Sequence, residues 1–197
     1  MIAWSLDACL GCDAVAGVVV AVPGGHEHGL DGLDRVVTVD GGSTRAESVA
    51  NALAAVDTEY VAIHDAARPL LTPELLTDLV SVLAANPEAD AVIAAAPVTD
   101  TVKKVRRTFR SPGARNVHHA IAETLDRSEL WGAQTPQVFR TAALRAALDA
   151  HDAATDEAML VEAAGGTVLL HDPGAPNLKV TTPLDLRVAE LLLAERR

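Results

Sequence analysis

Aromatic and basic residues are both scarce in this chain of 197 residues. Phe, Trp and Tyr make up 3% of the sequence, and 16 Lys and Arg stand against 27 Asp and Glu, for a formal net charge of -11. Because binding to phosphate backbones needs a basic surface, this balance argues against a nucleic-acid partner. It still allows a small anionic substrate, since a few arginines can form a local positive pocket.

Cysteine is scarce as well, and long apolar runs are absent. Cys9 and Cys12 form one C-x-x-C, without further ligands at zinc spacing and without a thioredoxin-like context. No stretch reaches the roughly 20 uninterrupted apolar residues that span a bilayer. Asp7 and Asp13 interrupt the apolar start of the chain, which has no basic region typical of a secretory signal. We expect a cytoplasmic protein with no membrane partner.

What is present is an alternation of short β-rich runs with amphipathic segments. This pattern is typical of an α/β fold in which helices cover both faces of a mainly parallel sheet. The length suits a single domain over residues 1–197. The predicted strands are Gly17–Val22, Arg35–Val39, Glu59–His64, Ala91–Ala96, Thr167–His171 and Leu178–Thr181.

Capping residues mark the predicted helices. These helices are Ile2–Leu10, Arg45–Val56, one that starts at Thr72-Pro73 and stops at Asn86-Pro87, one over 156–164 capped by Thr155, and one that starts at Thr182-Pro183. The region of about 106–140 breaks the rhythm, because it is polar, contains Pro112-Gly113 and is too long for a plain connection. We predict an extended arm there, which serves as a dimerisation element.

The most informative stretch is His64-Asp65-Ala66-Ala67-Arg68-Pro69, directly after an apolar run. An acid and an arginine that follow a buried strand lie at the carboxyl edge of the sheet, where open α/β sheets bind ligands. The alanines allow a substrate to approach the backbone, and proline ends the strand. The alternative interpretation is an ordinary salt bridge at a strand end.

Two further motifs could serve a ligand. The first is Gly41-Gly42-Ser43-Thr44-Arg45-x-x-Ser48, whose amides at a helix start suit an anion or a base edge. A Gly-rich turn with a helix cap is the simpler interpretation of it. The second is Lys179, one of only three lysines, on a predicted strand where a flexible charge suits a phosphate. A lone strand lysine usually covers apolar surface instead.

The order of the motifs resembles that of 2-C-methyl-D-erythritol 4-phosphate cytidylyltransferases. The motifs are, in order, G-G-x-x-R-x-x-S, H-D-A-A-R-P, P-V-x-D-T-x-K, D-R-x-x-L-W-x-x-Q-T-P-Q, T-D-E-A and N-x-K-V-T-x-P-x-D-L. The resemblance implies a Rossmann-like nucleotidyltransferase fold with a protruding β-arm. It also implies transfer of a cytidylyl group from CTP to a sugar-alcohol phosphate, Mg²⁺ as the cofactor, and a homodimer formed through the arm.

The resemblance assigns roles to individual residues on the nucleotide side. The loop residues that would hold the cytosine and ribose, or support their loop, are Gly42, Ser43, Arg45 and Ser48. Ala66 would lie against the nucleotide. Asp65 would contact substrate hydroxyls and hold the metal ion.

Other residues would serve the sugar phosphate. Arg68 would bind or orient it, and Lys179 would steer the attacking phosphate and offset charge near the α-phosphate. Thr124, on the arm, would reach the sugar phosphate across the dimer interface. The family also places an arginine just after the T-P-Q segment, for which Arg140 is the nearest candidate and Thr141 a competing position.

One part of the family pattern is missing from this sequence. The family begins with a strand that lies centrally in the sheet, followed by a loop A-A-G-x-G-x-R and a P-K-Q segment around the triphosphate. We therefore expect an N-terminally shortened form with impaired activity, and no fused second enzyme domain after the last helix.

Three other functions compete with this one. A short, catalytically silent relative would bind nucleotide or a partner subunit without turnover. A ribitol 5-phosphate cytidylyltransferase has a similar plan, although the Ala66-Ala67 pair favours methylerythritol phosphate. A dinucleotide-dependent oxidoreductase is disfavoured, because no G-x-G-x-x-G follows a strand.

Overall fold

A computed structural model describes residues 1–24, 29–30, 32–109, 118–150 and 156–196. Its helices are α1 (Ile2–Leu10), α2 (Arg45–Leu53), α3 (Pro73–Ala85), α4 (Thr141–Ala150), α5 (Glu157–Ala163) and α6 (Pro183–Glu195). Its strands are β1 (Val18–Val22), β2 (Val36–Asp40), β3 (Tyr60–Ile63), β4 (Ala91–Pro97), β5 (Lys103–Phe109), β6 (His118–Thr124), β7 (Trp131–Arg140) and β8 (Val168–His171). A short 3₁₀ turn, Arg127–Glu129, precedes β7.

The main sheet has four strands in the order β3-β7-β4-β8. β4 and β8 are parallel, and β7 is antiparallel to both of its neighbours, β3 and β4. Strands β3, β4 and β8 therefore run in one direction and end at the same edge of the sheet. This confirms the predicted α/β class with a sheet of mainly parallel direction.

The strand β7 corrects the predicted arm of 106–140. Residues 131–140 form a central strand of the main sheet, and the side chains of Val138 and Phe139 are fully buried. Proline is rare in central strands because it cannot donate to the ladder, so Pro136 concealed this one. The strand also contains two buried polar side chains, Thr135 and Gln137, which interrupt the apolar pattern.

Helices cover both faces of the main sheet, as predicted. Neighbouring residues of a strand point to opposite faces, so Val92 and Val138 join one core cluster while Ala91 and Phe139 join another. The first cluster is closed by α1 and α3 and the second by α2, α4 and α5. One apolar layer thus packs on each face of the main sheet.

A second, parallel sheet consists of β1 and β2, with α1 packed on it through Leu6. An apolar groove separates this sheet from β3. Two cavities of about 270 and 350 Å³ form the groove and share Val18, Val19, Ala62 and Ile63 as lining residues. Among the described strands, neither β1 nor β3 has a hydrogen-bonded neighbour on the side of the groove. The resemblance implies that the family's first strand lies centrally in the sheet. That implication stays a prediction.

The arm itself is an antiparallel hairpin of β5 and β6. Its cross-strand pair Val105 and Ile121 is 52% and 56% exposed, so an apolar surface faces away from the rest of the chain. A two-stranded hairpin is marginally stable in water unless it packs on something else. This geometry provides a surface that another chain could cover.

Helix caps follow the sequence signals closely. Thr44, Thr72 and Thr182 each accept a hydrogen bond from the backbone three residues on, and Asp185 completes a capping box with Thr182. For α5 the cap is Asp156, while the predicted cap Thr155 lies outside the described residues.

The last predicted strand, Leu178–Thr181, has no strand assignment. The stretch is nevertheless tied to the end of β3, because the amide of Val180 donates to the carbonyl of Ala67 at 2.8 Å. Within the described ranges, every helix is too short or too polar to cross a membrane.

Candidate active site

The ends of β3 and β8 bring an acidic and a basic side chain together at one edge of the sheet. Asp65 follows β3, and Lys179 follows β8 after an extended stretch. The ammonium Nζ of Lys179 donates to Oδ2 of Asp65 at 2.7 Å. The second groove cavity is lined by Asp65 and Ala66, so the groove opens onto this pair.

A second cation reaches Asp65 from the other sheet. The Nε of Arg45, at the start of α2, donates to Oδ1 of Asp65 at 3.3 Å. Partial burial raises the pKa of the Asp65 carboxyl, but the hydrogen bond from Lys179 and the charge of Arg45 outweigh burial, so the net pKa is lowered. Asp65 is therefore an ionised carboxylate with one cation on each oxygen.

Arg45 is held from behind by a residue that sequence reasoning passed over. Its Nη1 lies 2.6 and 2.7 Å from the two carboxylate oxygens of Glu157, whose side chain is only 3% exposed. Burial lowers the pKa of Arg45, but its contacts with Glu157 and Asp65 raise it overall. The available signal was a charge on an apolar face, since Leu160 and Val161 follow Glu157 at helical spacing and are buried with it.

The Gly-rich loop before α2 is shaped by its own residues. The amide of Gly42 donates to Oγ of Ser48 at 3.0 Å, and both the amide and the hydroxyl of Ser43 donate to Glu47. A Cβ on Gly42 would lie 2.1 Å from the Cβ of Glu47, so only glycine fits there. The conformation of the loop therefore requires glycine at position 42. The residues Ser43, Arg45 and Ser48 follow on this loop and on the first turn of α2.

A backbone carbonyl holds the side chain of Arg68 near Asp65. Its Nη1 donates to the backbone carbonyl of Asn177 at 2.6 Å, and its buried Nε has no hydrogen-bond partner. Desolvation lowers the pKa of its guanidinium, which remains a cation at neutral pH. Asn177 is buried and donates to Oε1 of Gln134 and to the carbonyl of Thr135, both at 2.9 Å. These bonds fix the stretch that carries Lys179 against the end of β3.

His64 connects the same segments as a neutral ring. Its Nε2 lies 3.1 Å from the carbonyl oxygen of Arg68, and its Nδ1 lies 3.3 Å from Oγ1 of Thr135. Burial lowers the pKa of His64 to about 4. The hydroxyl of Thr135 also accepts from the amide of Asp65 at 3.0 Å. The imidazole therefore supports the loop that presents Asp65.

One predicted site residue, Arg140, lies elsewhere. It is at the opposite edge of the sheet, because β7 runs antiparallel to β3 and pairs it with Tyr60 at the start of that strand. It donates to the carbonyls of Ala89 at 2.9 Å and Leu83 at 3.3 Å, which is a structural role.

Thr124 lies on the arm, as the resemblance implies, and its hydroxyl accepts from Lys103. Its contact with a sugar phosphate across a dimer interface stays a prediction.

Another arginine, Arg127, lies at the base of the arm. It precedes β7, and its Nη1 donates to the carbonyl of Thr99, just after β4. It belongs to the motif D-R-x-x-L-W, but the sequence analysis assigned it no role.

A metal ion at this site would depend on a single carboxylate. Among the described residues, no group of three or more His, Cys, Asp and Glu side chains could hold one. Mg²⁺ commonly takes one or two carboxylates and completes its coordination with substrate phosphates and water. Asp65, ionised and facing the groove, fits such an ion when a triphosphate supplies the other oxygens.

Comparison with known proteins bears directly on this site. The family of 2-C-methyl-D-erythritol 4-phosphate cytidylyltransferases matches the chain over residues 1–195. The chain belongs to this family. It is therefore a nucleotidyltransferase by family, as the order of motifs predicted.

Individual members of the cytidylyltransferase family cover nearly the whole chain. A 2-C-methyl-D-erythritol 4-phosphate cytidylyltransferase of Synechococcus sp. (strain CC9902) is 39% identical over 207 residues, which is 100% of this chain and 86% of that protein. A bifunctional IspD/IspF enzyme of Anaeromyxobacter dehalogenans is 46% identical over 192 residues, with 92% of this chain and 47% of that protein covered. The chain thus spans less than half of the bifunctional relative.

Solved structures of the cytidylyltransferase family show the same fold. The enzyme of Thermus thermophilus superposes with a TM-score of 0.77 at 34% identity, covering 96% of this chain and 86% of that one. The likeness therefore extends over nearly all of this chain, including the strands whose ends form the site edge.

We predict that Arg140→Met destabilises the fold and leaves nucleotide binding unchanged. Because hydrogen bonds to a charged donor contribute about 1.5–3 kcal/mol each, the free energy of unfolding should fall by about 2–3 kcal/mol. The melting temperature should drop by about 5–10 °C. Calorimetry with CTP should give the same affinity within about twofold, whereas the matched variant Arg68→Met should weaken binding of the sugar phosphate. A loss of CTP affinity in Arg140→Met at temperatures where it is folded would contradict this assignment.

We predict that stability falls as the pH drops from about 6.5 towards 4. In this window the unfolded chain protonates its histidine while the buried His64 ring stays neutral, so the unfolded state binds more protons and is favoured. The full loss from this residue is about 3 kcal/mol. Urea unfolding at a series of pH values measures it, and His64→Gln should flatten the curve in this window. An equal slope in the variant would show that other groups cause it.

Proposed function

We propose that this chain transfers the cytidylyl group of CTP to 2-C-methyl-D-erythritol 4-phosphate and releases pyrophosphate. The observation that carries the proposal is the ionised Asp65 between Arg45 and Lys179, at the sheet edge of a chain that belongs to this family. Both substrates are anionic, and the site offers two cations beside a carboxylate that can accept from hydroxyls. Because the net charge of the chain is -11, individual cations of the site, and not the overall surface charge, would attract the anionic substrates.

In the proposed reaction, a phosphate oxygen of the sugar phosphate attacks the α-phosphorus of CTP. A new phosphorus–oxygen bond forms, and the bond to the oxygen that bridges to the β-phosphorus breaks, so pyrophosphate leaves with that electron pair. Such transfers need positioning and charge stabilisation more than covalent help from the protein. Lys179, 44% exposed and on a flexible stem, is placed to move from Asp65 to the phosphates.

The nucleotide would lie along the Gly-rich loop. Gly42 lets the loop pack closely on Glu47, and the hydroxyls of Ser43 and Ser48 lie on this loop. Ala66, which is exposed at the groove, would pack against the nucleotide. Arg68 would bind or orient the sugar phosphate with the part of its guanidinium that is not used by Asn177.

A bound Mg²⁺ would be held by Asp65 and the triphosphate, where it would neutralise negative charge. Arg45 and Lys179 keep the carboxylate ionised before the ion arrives, because both stabilise its charged form. The residues of this chain thus prepare one oxygen ligand, and the substrate completes the set.

We further propose that two copies pair through the arm, and that the protein works in the cytoplasm. The exposed cross-strand pair Val105 and Ile121 forms an apolar surface that a second arm can cover. Across such an interface Thr124 could face the partner's site. Free Cys9 and Cys12 and a nucleotide substrate fit a reducing compartment.

We predict that pyrophosphate release needs both substrates and the two charges on either side of the site. Asp65→Asn and Lys179→Met should each lower turnover by about a hundred- to a thousandfold, since losing one positioned charge commonly costs that much. A coupled pyrophosphate assay with CTP and methylerythritol phosphate measures this. Ribitol 5-phosphate in the same assay should be a much poorer substrate.

The matched experiment compares two lengths of protein. The 197-residue chain should turn over more slowly than a version extended upstream of Met1 by a strand and an A-A-G-x-G-x-R loop. CTP binding without turnover in both versions would indicate the catalytically silent relative. No turnover and no CTP binding in either version would refute the proposed function.

We predict that Val105→Asp converts the dimer into a monomer, because a charge would be buried against the partner's apolar arm. Sedimentation velocity at micromolar concentration measures the mass. The control is Leu191→Asp on α6, a leucine 68% exposed on a different surface, which should leave the mass unchanged. A wild-type monomer at these concentrations would rule out the arm as a dimer interface.

A further inference from the structure

A buried carboxylate lies directly behind the proposed site. Glu157 is the first residue of α5, and its side chain is 3% exposed. It is not needed to start the helix, because Asp156 caps α5 by accepting from the amide of Met159 at 2.9 Å. A buried charge is costly unless it is paired, so the position of Glu157 calls for a reason other than helix capping.

The partner of Glu157 is Arg45, which is itself in contact with Asp65. One guanidinium nitrogen, Nη1, serves both oxygens of Glu157 at 2.6 and 2.7 Å, and a second nitrogen, Nε, faces Asp65 at 3.3 Å. A guanidinium is planar and rigid, so fixing one nitrogen aims the others. Glu157 therefore determines the direction in which Arg45 presents Nε.

The two cations on Asp65 differ in how they are held. Arg45 is attached at its far end to a buried partner, whereas Lys179 contacts Asp65 alone within the described ranges. Lys179 can leave Asp65 for a substrate phosphate at little cost. Arg45 cannot leave without stranding the buried charge of Glu157.

We propose that Glu157 is a positioning residue that keeps Arg45 on Asp65 while Lys179 moves to the substrate phosphate. Asp65 then keeps one cation and its orientation throughout the reaction. The inference rests on the proposed function only for the identity of that phosphate. The contacts from Glu157 through Arg45 and Asp65 to Lys179 do not depend on it.

The test removes Lys179 first, so that Arg45 alone holds Asp65. In Lys179→Met the Nε–H proton of Arg45, which faces Asp65 at 3.3 Å, should give a resolved and slowly exchanging NMR signal. Adding Glu157→Gln should abolish this slow exchange, because a released Arg45 can turn away into solvent. The matched control is Lys179→Met with Glu162→Gln, an exposed glutamate on the same helix, which should exchange like Lys179→Met. Equally slow exchange with and without Glu157→Gln overturns the proposal.

Kinetics provide a second readout that a purely structural role would not produce. With Lys179 present, Glu157→Gln should lower kcat by about ten- to a hundredfold while the KM for CTP changes less than about threefold, because a displaced charge acts on the reacting groups. Equal turnover in Glu157→Gln and the wild type overturns the proposal. If the wild type shows no turnover, the proposed function fails, but the exchange of the Arg45 Nε–H proton still decides the role of Glu157.

A folding failure is covered by a conservative variant. Glu157→Asp keeps the charge and shortens the side chain, so with Lys179→Met it should give an Arg45 Nε–H exchange rate between those of Lys179→Met and the Gln double variant. If Glu157→Gln does not fold, an exchange rate of the Asp double variant equal to that of Lys179→Met overturns the proposal.

Discussion

A chain of alternating charges through Asp65 holds the two halves of this protein in register at the site. Glu157, Arg45, Asp65 and Lys179 follow one another as acid, base, acid and base, at distances of 2.6 to 3.3 Å. Arg45 starts α2, Glu157 starts α5, Asp65 follows β3, and Lys179 lies on the extended stretch after β8. The Glu157 end of this chain of charges is buried, and the Lys179 end is exposed to solvent.

The antiparallel strand β7 determines which residues lie at the site edge and which lie at the far edge of the main sheet. It lies between β3 and β4 and begins at the site edge, where Gln134 and Thr135 fasten Asn177 and the amide of Asp65. The strand ends at the far edge with Arg140. At about 3.3 Å per residue, its 10 residues span about 30 Å. This length separates Arg140 from Asp65. The same strand connects the arm to the core, so the site edge and the arm share one element.

Sequence reasoning succeeded where a signal is local. The sequence predicted α1 and α3 nearly to their ends and the start of α6, and the apolar run before His64 predicted β3 and the carboxyl-edge position of Asp65. It failed at β7, where Pro136 and two buried polar side chains broke the apolar pattern. The sequence analysis assigned no role to Glu157, because nothing within its own helix says that a cation from α2 will cover it.

The amino-acid sequence by itself determined the family, most of the helices and strands outside residues 106–150, and the position of Asp65 and Arg68 after β3. These are short-range properties, which depend on residue spacing and on turns within a few positions. Only the tertiary structure decided which cation meets which acid, that Arg140 lies at the far edge of the sheet, and that Glu157 is buried behind Arg45. Those outcomes depend on strand direction and on pairing between residues as many as 114 positions apart, which no local pattern encodes.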